Sequence, residues 1–279
     1  MDCFREGITL RTLFGKETIS ALELRILIEQ AIGLTHVQQI AHPDYPLAKD
    51  EMNQLNKLLV RRQAGEPIAY ITGIKEFFGL PFHVSSDVLI PRPETELLVE
   101  LAIKYLPKQG NIVDLGTGSG AIAISIAHER SDAMIIATDL SREALTIARL
   151  NAKEILHDEK RISFREGNWF NALDIKDVFD VIVSNPPYIH SMDPHLLQGD
   201  LRFEPKKALT DFRNGLSALE TIIKEAPQFL KMNGWLFLEH GYNQAEDVKS
   251  MLVKYGFTCV QSWQDLAGIN RVSGGCWRK

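Results

Sequence analysis

The segment from Ile112 to Ala127 constrains the fold more than any other part of the chain. The apolar run Ile112 to Leu115 leads into alternating glycines at Gly116, Gly118 and Gly120, and an apolar stretch follows. This order predicts a buried strand, a tight loop and a helix, because glycine lets the backbone turn sharply and approach a ligand closely. The spacing G-x-G-x-G differs from the G-x-G-x-x-G of dinucleotide sites. The glycine loop alone is therefore a weak functional signal.

Strands and helices alternate along the rest of this region, which is typical of a doubly wound α/β sheet with parallel strands. Strands are predicted at 111–115, 133–138, 161–166, 179–184, 234–240, 257–263 and 271–278. Helices are predicted at 93–105, 119–129, 142–156, 216–231 and 243–255, with Pro227 kinking or dividing the fourth of these. The segment 189–214 lacks clear periodicity and is predicted to form a wall or lid over the site.

The chain before this sheet has a different character. Residues 1–73 predict a small helical bundle, with a capping-box pattern at Ser20 and a stop at Gly33. Residues 74–91 predict a short hairpin or strap that joins the bundle to a larger domain over 92–279. The bundle either packs as a structural element or docks a substrate, and the sequence does not choose between these roles.

Composition limits the classes of protein to consider. The chain has 279 residues, of which 45% are hydrophobic, and a formal net charge of −5. This acidic balance disfavours an enzyme dedicated to nucleic acid, which usually presents a Lys/Arg surface to phosphates. No apolar run approaches the ~20 residues that span a bilayer, and Met1 to Glu6 shows no secretory leader. Cys3, Cys259 and Cys276 form no disulfide or metal pattern, which fits a reducing cytoplasm.

Two polar features follow predicted strands, where open α/β sheets place their ligands. Asp139 ends the second strand and is placed to bind ribose hydroxyls, although it also suits a helix N-cap region. The tetrapeptide Asn185-Pro186-Pro187-Tyr188 follows the strand at 179–184. The Asn185 side-chain oxygen and the Pro186 carbonyl are acceptors that suit the two N–H bonds of a planar NH2 group, and Tyr188 offers a flat packing surface. These features predict methyl transfer to such a nitrogen.

The glycine loop, Asp139 and Asn-Pro-Pro-Tyr, in this order, resemble the class I S-adenosylmethionine-dependent methyltransferases. More closely, the chain resembles the bacterial protein-(glutamine-N5) methyltransferases that modify peptide chain release factors. The resemblance extends from about residue 66 to the C-terminus and rests on Ile90–Glu100, Asp114–Gly120, Ala137–Asp139, Glu166–Trp169, Asn185–Tyr188 and Asp265–Val272.

This resemblance implies an enzyme with S-adenosylmethionine as cofactor and the glutamine of the Gly-Gly-Gln motif of release factors as acceptor. It also implies a sheet ending in an antiparallel pair. Asn185, Pro186 and Tyr188 are the expected catalytic residues, and Pro187 completes the expected substrate site. Expected cofactor contacts are Asp114, Gly116, Thr117, Gly118, Ser119, Gly120, Asp139, Trp169 and Asn185. Trp169 is expected beside the adenine, whereas core packing is the ordinary role of a tryptophan.

Some roles and alternatives stay open at this stage. Asp114 either orders the glycine loop or contacts the methionine ammonium. Arg92 and Glu94 suit a surface ion pair or an ordered active-site wall, and Glu166 is expected to be structural. No metal is expected, because the histidines show no paired spacing. The alternative functions are a ribosomal-protein glutamine methyltransferase, a DNA or RNA amino methyltransferase, and a non-catalytic binding module with the same fold.

Overall fold

The structure is a computed structural model that describes residues 7–15 and 19–278. Residues Met1 to Glu6, which include Cys3 and in which the sequence shows no secretory leader, lie outside the described part. The described chain forms two compact units, one ending at Gly73 and the other beginning at Ile74. No helix within 7–15 and 19–278 is long and apolar enough to cross a membrane.

The first unit is helical. Its helices are α1 (Leu10–Phe14), α2 (Ala21–Ile32), α3 (His36–Ala41), α4 (Lys49–Gln63) and α5 (Ile68–Thr72). Helix α2 begins at the N-cap Ser20, whose side chain accepts the Glu23 backbone N–H, and it ends at Gly33 with φ of 74°. The Glu23 carboxylate pairs with Arg62 of α4 at 2.8 Å, so Glu23 joins two helices.

The second unit contains a two-stranded hairpin and a seven-stranded sheet. Its strands are β1 (Ile74–Phe77), β2 (Leu80–His83), β3 (Asn111–Leu115), β4 (Met134–Asp139), β5 (Ile162–Glu166), β6 (Phe179–Ser184), β7 (Leu230–Glu239), β8 (Thr258–Gln264) and β9 (Asn270–Cys276). Its α-helices are α6 (Glu96–Tyr105), α7 (Ala121–Glu129), α8 (Arg142–Leu156), α9 (Lys206–Leu209), α10 (Ser217–Glu225) and α11 (Ala245–Lys254). The α/β fold class predicted from the sequence is confirmed.

The large sheet has the order β5-β4-β3-β6-β7-β9-β8. Strands β3 to β7 are parallel, whereas β9 runs antiparallel to both β7 and β8, so the predicted antiparallel pair is present. Along the chain, β4 and β5 are added on one side of β3, and β6 then pairs with the other side of β3. Ligands of open α/β sheets bind where the strand order reverses in this way, which points to the carboxyl ends of β3 and β6.

Apolar side chains of helices cover both faces of this sheet. Residues of α6, α7 and α8 form one buried cluster with β3, β4 and β6, and residues of α10 and α11 form a second. Phe77 and Phe82 of the hairpin are buried in the first cluster. The segment predicted as a strap therefore belongs to the core of the second unit, with strands only over 74–77 and 80–83.

Two predicted boundaries are corrected by the structure. The helix predicted over 216–231 ends at Glu225, and a short 3₁₀ turn over Ala226–Gln228 leads directly into β7. Pro227 lies in that turn and lacks the backbone N–H that a continuing helix needs. The segment predicted as irregular, 189–214, contains short helical turns over Pro194–Leu197, Gly199–Phe203 and α9.

Candidate active site

A cavity of about 620 Å³ lies at the carboxyl ends of β3, β4 and β6. This is the edge of the sheet at which the strand order reverses. The cavity has two sides, which differ in how the chain builds them. We call the loop Gly116–Gly120, Asp139 and Trp169 the glycine side, and the tetrapeptide Asn185–Tyr188 with Thr95, Glu204 and Glu239 the acceptor side. These names include residues that support the cavity without lining it: Gly120, Pro186, Tyr188, Glu204 and Glu239.

The glycine loop is held to the sheet by its own backbone. The N–H groups of Gly116 and Thr117 both donate to the Thr138 carbonyl, at 2.8 and 2.9 Å. Gly118 has φ of 56° and no atom within 4 Å of the point where a Cβ would stand. Gly116, Thr117, Gly118 and Ser119 line the cavity. The loop thus presents backbone to the cavity at the point where a side chain would obstruct a ligand.

Gly120 has a different role from the other two glycines. It precedes α7 with φ of 84° and is not among the cavity-lining residues. A Cβ there would stand 2.6 Å from Ile124 Cδ1 and 3.2 Å from Ala148 Cβ. Gly120 therefore permits the close approach of α7 and α8, so the structure assigns this predicted cofactor contact to packing.

Asp114 lies beneath the loop, buried at 1% exposure, and does not line the cavity. Its Oδ2 accepts a hydrogen bond from the Thr117 hydroxyl at 2.6 Å, while Oδ1 has no partner among the described residues. Burial raises the pKa of the Asp114 carboxyl to about 7. Of the two roles predicted for Asp114, the geometry supports ordering of the loop through Thr117.

Asp139 ends β4 and lines the cavity. Its Oδ2 accepts from the Gly118 N–H and its Oδ1 from the Ser141 N–H, both at 2.8 Å. Burial raises the pKa of this carboxyl, and the two backbone N–H groups oppose the rise. Because each carboxylate oxygen has two lone pairs, Asp139 retains acceptor capacity for ligand hydroxyls. The N-cap of α8 is Ser141 rather than Asp139.

Trp169 begins a short 3₁₀ turn after β5, with φ of 47°. Its ring lies 3.0 Å from the point where a Gly116 Cβ would stand, so any larger residue at Gly116 would displace it. The ring is half-buried and lines the cavity. Trp169 is thus partly packed in the protein and partly open to the cavity. Its position suits a planar ligand group packed near the loop.

The tetrapeptide after β6 begins the acceptor side. Asn185 and Pro187 line the cavity, whereas Pro186 is buried and Tyr188 does not reach the lining. The Asn185 Nδ2 donates to the Thr95 hydroxyl oxygen at 3.3 Å. Tyr188 donates its phenol proton to Glu239 Oε1 at 3.2 Å. The structure therefore brings Asn185 to the cavity and turns the Tyr188 hydroxyl toward the neighbouring strand.

Arg92 has a partner that the sequence did not suggest. It forms an ion pair with Glu204 rather than with Glu94, and the Glu204 side chain is fully buried. Glu204 Oε2 also accepts from the Ile90 N–H at 3.1 Å. Burial raises the pKa of the Glu204 carboxyl, and Arg92 opposes this rise. The pair links the segment before α6 to the predicted wall over 189–214, so of the two interpretations left open for Arg92, the geometry supports an ordered wall rather than a surface ion pair with Glu94.

Other polar residues near the site are structural in their contacts. Glu166 is exposed and pairs with Arg142 at 3.1 Å. His240 is buried, with one ring nitrogen near the Gly241 carbonyl and the other near the Ser273 hydroxyl. Within 7–15 and 19–278, no group of three His, Cys, Asp or Glu residues is arranged to hold a metal ion.

Sequence reasoning missed Thr95, Glu204 and Glu239. A signal existed for Glu239, because it ends β7, the strand next to β6, at the edge where the sheet places ligands. Thr95 ends the short 3₁₀ turn Pro93–Thr95 before α6, and Glu204 lies in a segment without periodicity. No local pattern marks either residue, since their partners are far away in the sequence.

Comparisons with known proteins agree with this architecture. Residues 93–198 match the family described as Methyltransferase small domain, and residues 13–73 match the family described as PrmC N-terminal domain. The solved structure of a methyltransferase from Pyrococcus furiosus aligns with a TM-score of 0.56 and 19% identity, covering 80% of this chain and all of that one. At this identity the structural likeness supports the fold alone.

Curated relatives match nearly the whole chain. A release factor glutamine methyltransferase from Burkholderia pseudomallei is 48% identical over 272 residues, which is 96% of this chain and 95% of that protein. A release factor glutamine methyltransferase from Neisseria gonorrhoeae is 43% identical over 273 residues, covering 98% of this chain and 99% of that protein. Similarity of this extent includes both compact units.

Proposed function

The chain belongs to the family of release factor glutamine methyltransferases, and we propose that it methylates the side-chain amide nitrogen, N5, of one glutamine in a peptide chain release factor. The methyl donor in this proposal is S-adenosylmethionine, and the acceptor is the glutamine of the Gly-Gly-Gln motif. A cytoplasmic location stays a prediction. The observation that carries the proposal is the cavity in which the glycine loop, Asp139 and Asn185 meet.

The residues of the glycine side fit this cofactor. The open face of Gly118 admits a ligand against the backbone. Asp139 offers acceptors for the ribose hydroxyls, and Trp169 offers an aromatic face for the adenine. Asp114 supports the glycine loop from beneath through its hydrogen bond with Thr117. When bound, the cofactor supplies an electrophilic methyl group on a sulfonium centre.

The acceptor side suits a planar amide. An amide nitrogen is a poor nucleophile, because its lone pair is delocalised, so orientation has a large share in the rate. The Asn185 Oδ1 accepts one N–H of the substrate amide and the Pro186 carbonyl accepts the other, which directs a face of the nitrogen toward the methyl. Holding two reactants in line supplies roughly 7–11 kcal/mol of the barrier at the upper end.

The proposed mechanism needs no general base before methyl transfer. The substrate amide reacts as the neutral species, and its nitrogen becomes acidic once a fourth bond has formed. The proton then leaves to an acceptor or to water. In this proposal the chain contributes alignment and fixed acceptors rather than an activated side chain.

Transfer of a tritiated methyl group tests the proposal directly. Purified enzyme is incubated with labelled cofactor and, in parallel, with release factor, a ribosomal protein and DNA. We expect label only in the release factor, and none after its Gly-Gly-Gln glutamine is replaced by alanine. Label in DNA or in the ribosomal protein, with none in release factor, would contradict the substrate proposal while leaving the cofactor site intact.

A further inference from the structure

We propose that Gln244 is a positioning residue that holds the Tyr188 carbonyl, and with it the Pro186 carbonyl, in place for the substrate amide. The inference rests on the proposed function, because it assigns a role within the acceptor side of the same site. Gln244 is half-buried just before α11 and does not line the cavity. It therefore acts on the substrate only through the tetrapeptide Asn185–Tyr188.

The Gln244 side chain makes three hydrogen bonds, all of them to backbone groups. Its Nε2 donates to the Tyr188 carbonyl at 3.0 Å and to the Gly215 carbonyl at 3.3 Å. Its Oε1 accepts the Gly241 N–H at 2.8 Å. One amide thus connects the end of the tetrapeptide, the segment that leads into α10 and the turn that follows β7.

The partners of Gln244 decide how its amide is oriented. A backbone carbonyl only accepts hydrogen bonds, and a backbone N–H only donates. The flipped orientation would place Oε1 against the carbonyls of Tyr188 and Gly215, and Nε2 against the Gly241 N–H. The two orientations of a side-chain amide have nearly the same shape, but Gln244 can make all three bonds in only one of them.

Gly215 lies close to Tyr188 and limits where its carbonyl can stand. Gly215 is buried, with φ of 78°. A Cβ there would stand 2.2 Å from the Tyr188 carbonyl oxygen and 3.1 Å from Gln244 Nε2. The Gly215 N–H donates to Asp211 Oδ1, and the Ser217 N–H donates to Asp211 Oδ2, both at 2.9 Å. The Gly215 backbone is therefore a fixed surface against which Gln244 holds the Tyr188 carbonyl.

The tetrapeptide transmits this constraint to the proposed acceptor. Pro186 and Pro187 each fix their own φ, and Pro187 also restricts the residue before it. Few backbone torsions are therefore free between the carbonyls of Pro186 and Tyr188. At the other end, Ser184 pairs with β7, and its hydroxyl donates to the Leu115 carbonyl at 2.6 Å. The segment is thus stiff and held at both ends.

Loss of the Gln244 bonds frees one end of this stiff segment. The Tyr188 carbonyl can then turn toward water, and the Pro186 carbonyl moves with it. A misplacement of about 1 Å lowers the rate of an oriented reaction by roughly 100-fold. The three hydrogen bonds of Gln244 do not involve the glycine side. The rate of methyl transfer should therefore fall while the affinity for the cofactor stays the same.

The test measures single-turnover methyl transfer by the whole chain to intact release factor, because product release can limit kcat. Gln244→Met retains the length of the side chain and loses all three hydrogen bonds. Gln244→Glu retains an acceptor for the Gly241 N–H but sets an oxygen against the two carbonyls. We expect the rate to fall roughly 10- to 100-fold in both variants. The dissociation constant of S-adenosylhomocysteine, measured by calorimetry, should stay within about twofold.

Asn111→Ala is the matched control for the loss of an amide bound to backbone. Asn111 Nδ2 donates to the Val178 carbonyl at 3.2 Å. Val178 precedes β6 and so lies at the opposite end of that strand from the tetrapeptide. This change should at most lower the unfolding midpoint, with no change in rate. A role of Gln244 in stability alone would make Gln244→Met behave in the same way.

A second pair of variants acts on the Tyr188 carbonyl from the other side. Gly215→Ala places a methyl group against that carbonyl and should lower the rate as Gln244→Met does. Gly268→Ala is its control, because Gly268 has φ of 76° and no atom within 4 Å of the Cβ position. It carries similar backbone strain without the contact and should leave the rate unchanged.

A rate in Gln244→Met within about twofold of the wild type would overturn the proposal. A parallel loss of affinity for S-adenosylhomocysteine would also overturn it, because the whole cavity would then be disturbed. If the Gln244 variants do not fold, the comparison of Gly215→Ala with Gly268→Ala decides, and equal rates in those two contradict the positioning role.

Hydrogen exchange separates this inference from the proposed function. The Ile189 N–H belongs to the same peptide unit as the Tyr188 carbonyl and donates to the Leu209 carbonyl at 2.9 Å. Its exchange should be faster in Gln244→Met than in the wild type, and equal exchange would contradict the positioning role. A wild-type enzyme that does not methylate release factor would refute the proposed function, whatever the exchange shows.

Discussion

The glycine side and the acceptor side face one cavity, but the chain builds them in different ways. On the glycine side, Thr117 bonds to Asp114 three residues away and Gly118 to Asp139 over 21 residues. On the acceptor side, Tyr188 reaches Glu239 over 51 residues and Asn185 reaches Thr95 over 90. Apart from Trp169, which follows β5, the glycine side is thus complete within one strand–helix–strand unit, whereas the acceptor side exists only after distant segments have met.

Because of this difference, mutations on the two sides should have different effects. A local unit keeps its geometry when remote contacts are weakened, because its hydrogen bonds span short lengths of chain. The acceptor side depends on the docking of the segment before α6, the end of β7 and the wall over 189–214. We therefore expect changes on the glycine side to alter binding of the cofactor, and changes on the acceptor side to alter turnover or stability.

The largest expected effect is on turnover, from Asn185→Ala. This change removes the acceptor proposed to hold the reacting amide, and loss of one such oriented group typically costs about 10²- to 10³-fold in kcat. The unfolding midpoint and the affinity for S-adenosylhomocysteine should stay close to wild type. Rate, midpoint and affinity are measured on one preparation, and a near-normal rate would break the assignment of the acceptor side.

Asp139→Ala is the corresponding change on the glycine side. It removes the acceptor of Gly118 and Ser141 and of the proposed ribose contacts, and hydrogen bonds to a charged group contribute roughly 1.5–3 kcal/mol. Calorimetry with S-adenosylhomocysteine should show weaker binding by that amount. Glu166→Ala is the control, because Glu166 ends the adjacent strand opposite Asp139 but is exposed and bound to Arg142. Equal affinities in both variants would remove Asp139 from the cofactor site.

Arg92→Gln tests whether the acceptor side depends on the ion pair between Arg92 and Glu204. The change leaves Glu204 buried without a cation, which costs about 3–5 kcal/mol for a fully buried pair. Because the Arg92 side chain is 32% exposed, we expect a loss of about 2 kcal/mol in the free energy of unfolding. Denaturant titration measures it, with Arg142→Gln at an exposed pair as the control. A loss of unfolding free energy no larger than that of Arg142→Gln would contradict the structural role of the ion pair between Arg92 and Glu204.

The last expected effect concerns the pH dependence of stability and lies beneath the glycine loop. Burial raises the pKa of Asp114 from 3.8 to about 7, so the folded state holds this proton more tightly than the unfolded state does. Asp114 therefore stabilises the fold fully only below pH 3.8, and the contribution is lost as the pH rises toward 7. Asp114→Asn does not titrate, so its unfolding midpoint should gain on the wild type between pH 4 and pH 8. A constant difference across this range would show that the carboxyl is not raised.

Long-range contacts also explain which parts of the site were predictable. The residues of the glycine loop, Asp139 and Trp169 were all expected near one ligand, and the structure brings them to one cavity except for Gly120. Asn185 was expected there also. The sequence left two interpretations open for Arg92, and it could not choose because the partner, the buried Glu204, lies 112 residues away.

The sequence by itself determined the alternation of strands and helices and the glycine side, whereas the antiparallel end of the sheet was implied by the family resemblance. The first two depend on hydrophobic periodicity, on glycine conformations and on the rule that parallel strands end at one edge. Only the tertiary structure decided that Asn185 meets Thr95 and that Tyr188 meets Glu239. The physical reason is that a hydrogen bond is specified by the distance between two groups in space, and no local pattern fixes that distance when the groups lie on separate strands and turns.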